Sequence, residues 1–211
     1  MHMNSGGAVT ALNGALNGNA EDAFQKIQLS KCRYAAEGRL KIRFIPSPNF
    51  DERPLGCDIS LLVIHNISLP PDEFKGDGVI EFFTNSLDFE AHPYYSQLRG
   101  LKVSAHFFIR RDGEIIQFVP CEKRAWHAGE SCWQGRNRCN DYSIGIELEG
   151  ADTIPFTDAQ YAELVTLTRT LQRVYPISDI AGHSDIAPER KTDPGPCFDW
   201  ARYRAALDVA H

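Results

Sequence analysis

The sequence predicts a single domain of the α/β (α+β) class, in which helices flank a central mixed β-sheet. Short apolar runs such as residues 60–65 (SLLVIH) are typical of strands that are covered on both faces. Such runs alternate along the chain with two or three helical patterns, which favours helices packed on a mixed sheet. Residues 1–20 are rich in Asn, Gly and Ala and lack aromatics, a composition that does not repay the entropy of ordering. We therefore assign residues 1–38 to a flexible tail and residues 39–211 to the domain.

The composition limits the classes of function. With 211 residues, 43% apolar and 24% charged, the chain is an ordinary globular one that can bury its own core. A net charge of -6 argues against general nucleic-acid binding, and no apolar run approaches the roughly 18 residues that cross a bilayer. The start resembles no secretory signal, and the six cysteines form no CxxC pair. We expect a cytoplasmic protein with reduced thiols, disulfides being the alternative.

The first half of the domain is predicted to be mostly extended. Residues 41–54 enter as an extended strip because prolines bias their neighbours away from helix. The strand at 60–65 follows, then a helix around residues 79–87. Two runs, 103–109 and 114–119, flank Arg111-Asp112-Gly113, which is a strong signal for a β-hairpin.

The second half contains one strand of period two and the clearest helix. In residues 142–149 (YSIGIELE) the apolar side chains share one face, and Gly145, Glu147 and Glu149 share the other. Thr157 and Gln160 form a capping box that begins a helix, which Pro176 ends. A strand at 177–181 and a last helix over about 199–209 complete the prediction.

Two histidines point to a metal site. His65 and His183 each come at the end of a short apolar strand, and adjacent strands of one sheet would bring them to the same edge. Imidazole suits zinc, which in catalytic sites takes three protein ligands. The third ligand should come from residues 182–200, a loop kept irregular by its prolines, where four side chains compete: Asp185, Asp193, Cys197 and Asp199. Asp193 is favoured because the prolines after it stiffen the turn. The alternative is a pair of structural histidines.

Other side chains could supply the remaining chemistry. Glu147, on the polar face of its strand, could act as a general base, with Glu149 on the same face as its rival. Lys191 could stabilise an oxyanion that develops on a substrate. His127 is either a second electrophile or a packed histidine beside Trp126, whereas we expect His106 to be a hydrogen-bonded core residue.

Five stretches carry a family resemblance: LLVIHNISLPP, SAHFFIRRDGEIIQFVP, RAWHAG, CNDYSIGIELEG and GHSDIAPERKTDPGPCFDW. Together they resemble the zinc-dependent N-acetylmuramoyl-L-alanine amidases, most closely the AmpD-type 1,6-anhydro-muropeptide amidases. The resemblance runs from about residue 40 to about residue 203. It implies the mixed sheet shared with peptidoglycan recognition proteins. It also implies a Zn²⁺ site with His65, His183 and Asp193 as ligands, and it implies that Glu147 and Lys191 are catalytic.

The resemblance also implies a substrate. In that family the amide between the lactyl group of (1,6-anhydro)-N-acetylmuramic acid and L-alanine is cut during cell-wall recycling. Four residues fall where relatives contact the muropeptide: Asn66, Lys102, Trp126 and Arg138, with Lys102 at a position expected to hold Arg. We expect a monomer whose partner is an anhydro-muropeptide, not nucleic acid or a membrane. The alternatives are an exported amidase of intact peptidoglycan and a non-catalytic muropeptide sensor.

Overall fold

The computed structural model describes residues 40–209. The predicted tail at residues 1–38 therefore lies outside the described residues, and its boundary stays a prediction. Ten strands are described: β1 (Ile42–Phe44), β2 (Phe50–Glu52), β3 (Leu61–Ile67), β4 (Phe107–Ile109), β5 (Ile115–Gln117), β6 (Lys123–Ala125), β7 (Cys132–Trp133), β8 (Arg136–Asn137), β9 (Ser143–Glu149) and β10 (Asp179–Gly182). The α-helices are α1 (Gly78–Phe83), α2 (Asp158–Val174), α3 (His183–Ile186) and α4 (Trp200–Asp208), and two 3₁₀ helices span Pro93–Leu98 and Cys139–Asp141.

Six of these strands form one mixed sheet in the order β1-β5-β4-β9-β3-β10. The β4–β5 pair is the predicted antiparallel hairpin, and the other four pairs are parallel. The mixed sheet flanked by helices is thus confirmed. Two small antiparallel pairs, β2–β6 and β7–β8, lie outside this sheet and were not predicted.

The two longest strands of the sheet, β3 and β9, lie side by side near its centre. Every residue of β9 is buried, as are the first five of β3. On one face their apolar side chains pack with those of α2, as Ile64 and Ile146 do with Leu164. Since side chains alternate across a strand, those of His65 and Glu147 point to the opposite face, which is also the face of Gly145.

The helix α2 begins as predicted. The Thr157 hydroxyl accepts a hydrogen bond from the Gln160 amide at 3.2 Å, and the Gln160 side chain accepts one from the Thr157 amide at 3.1 Å. The capping box is therefore confirmed. The helix ends at Val174, two residues before Pro176, as the fixed geometry of proline requires.

Several elements differ from prediction in their bounds. The helix predicted over 79–87 ends at Phe83, and Asn85 has a φ of 59° that a helix cannot continue through. The strand predicted at 177–181 begins at Asp179. Residues 183–186 form one helical turn where an irregular loop was expected, because Pro188 is the first proline of the loop and restricts only what comes immediately before it.

Two further observations concern the helices and the cysteines. Among the helices of residues 40–209, none has both the length and the apolar character to cross a membrane. Cys57, Cys132, Cys139 and Cys197 carry free thiols, whereas Cys32 lies outside the described residues.

Candidate metal centre

The two predicted histidines meet at one edge of the sheet. Strands β3 and β10 are parallel neighbours, and Ile64 of β3 lies opposite Gly182 of β10. The next residue on each side is a histidine, so His65 and His183 lie side by side. Their Nδ1 atoms are 3.0 Å apart, and both side chains are buried. The adjacency expected from the sequence is therefore present.

Asp193 completes the group. Its Oδ2 lies 3.0 Å from His65 Nδ1 and 3.1 Å from His183 Nδ1. The Asp193 carbonyl accepts a hydrogen bond from the Ser184 amide at 2.8 Å, which ties the loop to the first turn of α3. Pro194 packs closely on Gly182, since a Cβ added to Gly182 would come within 2.8 Å of the Pro194 Cδ.

The competing acids of the same loop have other partners. The Asp185 carboxylate accepts a hydrogen bond from the Gly182 amide at 2.7 Å. Asp199 is the N-cap of α4 and accepts from the Arg202 amide at 2.9 Å. Both carboxylates are thus used to begin helices, which leaves Asp193 as the acid beside the two imidazoles.

The three side chains fit a divalent ion. Their three facing atoms are 3.0–3.1 Å apart, so a point about 2.0–2.1 Å from each, the bond length of zinc to nitrogen or oxygen, exists beside their plane. Burial lowers the pKa of His65 to about 4, which keeps its imidazole neutral. Burial alone would raise the pKa of Asp193, but the contacts with His183 and His65 outweigh this and hold it below its usual range. Neutral imidazole and ionised carboxylate are the forms that bind metals.

Glu147 lies next to this group, on the neighbouring strand. It is directly opposite His65 in the β3–β9 ladder and is 7% exposed. Its Oε2 is buried without a hydrogen-bond partner among the described residues. Burial, followed by the charge of Asp193, raises the pKa of Glu147 well above its ordinary value, and the charge of Lys191 opposes that rise. An unsatisfied buried carboxylate facing a cavity is typical of a group that exchanges protons.

Its rival, Glu149, has a structural environment. One carboxylate oxygen accepts a hydrogen bond from the Lys75 amide and the other from the Arg111 amide, both at 2.9 Å. These two bonds join the connection after β3 to the β4–β5 hairpin. Glu149 therefore holds the two loops together through these hydrogen bonds. It lies on the same strand face as Glu147, two residues further along.

A cavity of about 590 Å³ opens onto these groups. Its lining includes Glu147, Lys191 and the three predicted ligands. The lining also includes apolar side chains, which are Leu69, Phe82, Phe83, Tyr94, Leu98, Leu101 and Val103. A substrate with a polar scissile bond and a less polar body fits such a cavity.

The four predicted substrate contacts separate into two pairs. Asn66 and Trp126 line the cavity, and the Asn66 amide donates a hydrogen bond to Asp152 at 2.8 Å. Lys102 lies between two lining residues but is not itself in the lining. Arg138 lies on a separate depression, is 72% exposed, and forms an ion pair of 3.1 Å with Asp141. The structure thus does not bring Lys102 and Arg138 into the cavity.

The two remaining histidines of this region are both buried. His106 accepts a hydrogen bond from the Gly145 amide, and burial, followed by the charge of Arg53, lowers its pKa to about 3. It is a neutral core residue, as expected. His127 instead contacts His65, with 2.9 Å between His127 Nδ1 and His65 Nε2. This contact was not predicted from the sequence, although a glycine inside a strand, here Gly145, is a signal that another group approaches closely.

Comparisons with known proteins extend this description. The sequence model of a family described as N-acetylmuramoyl-L-alanine amidase matches residues 55–196. The 1,6-anhydro-N-acetylmuramyl-L-alanine amidase AmpD of Salmonella typhimurium (strain SL1344) is 59% identical over 173 residues, which cover 81% of this chain and 92% of that protein.

Solved structures show the same relationship. A crystal structure of a selenomethionine derivative of AmpD is similar with a TM-score of 0.77 at 59% identity, over 79% of this chain and 94% of that one. A second, at 29% identity and a TM-score of 0.52, covers 75% of this chain and 65% of the other. It is the amidase AmiD from E. coli in complex with the substrate anhydro-N-acetylmuramic acid-L-Ala-D-gamma-Glu-L-Lys.

Proposed function

This chain belongs to the family of N-acetylmuramoyl-L-alanine amidases, and we propose that its His65, His183 and Asp193 hold the zinc ion that the reaction needs. It is an amidase of the 1,6-anhydro type, which cleaves the amide between the lactyl group of 1,6-anhydro-N-acetylmuramic acid and L-alanine in cell-wall recycling. The observation that carries the zinc assignment is the triangle of facing donor atoms at 3.0–3.1 Å.

Zinc would supply Lewis acidity toward the lactyl carbonyl and a water of lowered pKa at this position. Two imidazoles and one carboxylate are a donor set that suits zinc and leaves a fourth position open. The buried position of both histidines fixes the ligands before substrate arrives, so little reorganisation is required.

Glu147 has the role of general base in this proposal. Its carboxylate takes a proton from the water that attacks the lactyl carbonyl and gives the proton to the departing amine of L-alanine. The C–N bond breaks as the amine leaves, which yields a free lactyl carboxylate and the free peptide. The buried Oε2 of Glu147, which has no hydrogen-bond partner among residues 40–209, supports this assignment, since a carboxylate already bound to two donors would be a poor base.

Lys191 stabilises the negative charge that develops on the lactyl oxygen. It lines the cavity, together with Glu147 and Asp193. A cation aimed at the developing charge lowers the barrier, because the water-poor cavity wall strengthens the attraction.

We assign substrate binding to Asn66, Trp126, Lys102 and Arg138. The first two line the cavity, where an aromatic face and an amide suit a sugar ring and its acetamido group. Lys102 and Arg138 lie outside it, where cations can meet the carboxylates of the peptide stem. Local cations are needed because the protein carries a net charge of -6 and the stem is anionic.

We also assign the protein to the cytoplasm, as a monomer. Four described free thiols suit a reducing compartment. Cell fractionation tests the location, and comparing turnover of a soluble muropeptide with that of intact sacculi tests whether the substrate is the recycled fragment or the wall. Sedimentation at micromolar concentration tests the oligomeric state.

Metal removal followed by metal return tests the zinc assignment. Treatment with a strong chelator should abolish cleavage of an anhydromuramoyl-tripeptide, and one equivalent of zinc should restore it, with anhydromuramic acid and free tripeptide identified by mass. Metal analysis of the protein provides the stoichiometry. Unchanged turnover at a verified zero metal content would refute the proposal.

A further inference from the structure

A chain of hydrogen bonds leads from the rear nitrogen of His65 into the protein. His65 Nε2 lies 2.9 Å from His127 Nδ1, and His127 Nε2 lies 3.2 Å from the hydroxyl of Ser143. The Ser143 hydroxyl in turn donates to the carbonyl of Cys139 at 2.6 Å. These four residues are all buried, so water does not compete for the bonds.

The Cys139 carbonyl, at the end of this series of hydrogen bonds, determines which atom is the donor in each bond. A carbonyl oxygen can only accept, so the single hydroxyl proton of Ser143 is given to Cys139. Ser143 must then accept from His127, which places a proton on His127 Nε2 and leaves a lone pair on its Nδ1. That lone pair accepts the Nε2 proton of His65, so the lone pair of His65 is on Nδ1, the atom that faces Asp193.

The other proposed ligand, His183, is oriented by Ala128, the residue that follows His127 in the chain. His183 Nε2 lies 3.1 Å from the carbonyl oxygen of Ala128, which also accepts a hydrogen bond from Arg190 at 2.7 Å. Because this oxygen is also an acceptor only, His183 carries its proton on Nε2 and its lone pair on Nδ1. Both imidazoles are thus prepared in the same tautomer by two consecutive residues.

We propose that His127 and the carbonyl of Ala128 are positioning groups that fix both histidine ligands in the tautomer able to bind zinc through Nδ1. The proposal rests on the proposed function, since it assumes that His65 and His183 bind the metal. Hydrogen bonds of this kind orient the ring and increase the basicity of the ligand nitrogen, and their loss typically lowers metal affinity about 10–100-fold.

The fold provides space for this arrangement at two glycines. A Cβ at Gly145 would come within 2.4–2.7 Å of the His127 ring, so the ring lies flat on the strand where a side chain would normally stand. Gly129 has a φ of 59°, and a Cβ there would come within 3.2 Å of the Arg190 guanidinium. The same contacts exclude His127 as an electrophile, because both of its ring nitrogens already have partners within the protein.

Metal affinity tests the proposal separately from activity. The variants are His127→Ala, His127→Asn, which keeps an oxygen acceptor near the position of Nδ1, and His106→Ala as a matched control. His106 is equally buried and its ring is 5.7 Å from that of His127, but it bonds to the Gly145 amide and not to a ligand. Zinc competition against a chromophoric chelator should show His127→Ala about 10–100-fold weaker, His127→Asn close to wild type, and His106→Ala unchanged.

Nitrogen-15 NMR of zinc-loaded wild-type protein provides a test that does not depend on whether a variant folds. We expect His65, His183 and His127 all to be protonated on Nε2, with a coupling across the hydrogen bond between His65 Nε2 and His127 Nδ1. A proton on His127 Nδ1, or equal zinc affinity in all three variants, overturns the inference. Failure of the wild-type protein to bind zinc would overturn the proposed function instead.

Discussion

Glu147 and His65 lie directly opposite each other on the parallel strands β9 and β3. Within the described part of the chain, one carboxylate oxygen of Glu147 has no hydrogen-bond partner, whereas His65 contacts Asp193. A residue with base chemistry is therefore held beside a proposed metal ligand by the ladder of two central strands. No loop contributes to their separation, so the relationship is as rigid as the sheet itself.

Replacing Glu147 should remove turnover but leave the metal in place. For Glu147→Ala and for Glu147→Gln, we expect kcat to fall about 100-fold or more, because the proton of the attacking water then has no acceptor. Bound zinc, measured by metal analysis, should stay at one per chain. Equal damage to metal content and kcat would instead indicate that Glu147 holds the site together.

Glu149→Ala provides the contrast on the same strand face. Two partly buried hydrogen bonds to a charged acceptor, from the amides of Lys75 and Arg111, would be lost, so the free energy of unfolding should fall by about 1–3 kcal/mol. Urea unfolding measures this loss. At a temperature where the variant is folded, its kcat should stay within about threefold of wild type. If Glu149→Ala were the change that lowers kcat, the assignment of the base would be wrong.

Lys191→Ala should also lower kcat about 100-fold, with little change in KM, since its charge matters most when the oxyanion forms. Lys41→Ala is the matched control, because Lys41 is exposed beside a strand that does not border the cavity. Steady-state kinetics on an anhydromuramoyl-tripeptide separates the two parameters. A rise in KM alone would assign Lys191 to substrate binding.

Changes at Lys102 and Arg138 should act on KM. For Lys102→Ala or Arg138→Ala we expect KM to rise about tenfold for a substrate with a full tripeptide stem, which corresponds to one lost charged contact. The same variants should behave like wild type on anhydromuramoyl-L-alanine amide, which lacks the stem carboxylates. An equal loss on both substrates would place these side chains outside stem recognition.

The buried His106 predicts a dependence of stability on pH. Its pKa is about 3 in the folded protein and 6.5 as a free side chain, so the unfolded chain binds the proton first as pH falls. This contribution to stability is complete above pH 6.5 and is lost progressively down to about pH 3, with a slope approaching 1.4 kcal/mol per pH unit. Urea unfolding of zinc-loaded protein between pH 7 and pH 4.5 measures this dependence. The free energy of unfolding should fall more steeply with decreasing pH for wild type than for His106→Asn. Parallel profiles would contradict the prediction.

The sequence predicted what is encoded locally and left open what depends on packing. The capping box of Thr157 and Gln160 and the pairing of His65 with His183 follow from short patterns, and both were found. The choice between Glu147 and Glu149 could not be made from alternation, which places both on one face. It depends on two amides that reach Glu149 from distant loops.

The same limit applies to the surroundings of the proposed ligands. Asp185 and Asp199 compete with Asp193 on composition alone, and they are set apart only by the helices that they begin. His127 could have been an electrophile until its two nitrogen partners were known. Long-range partners of this kind leave no periodic pattern in a sequence.

The close contact between Gly145 and the His127 ring has an evolutionary consequence. Glycine is a poor residue for a strand interior, and here its absent side chain is what admits the imidazole. In a descendant that no longer needed a metal, residue 127 could shrink, and selection for sheet stability would then favour a β-branched residue at 145. The two positions should therefore change together, and a glycine–histidine pair in a homologue would distinguish a working hydrolase from a relative that retains only recognition.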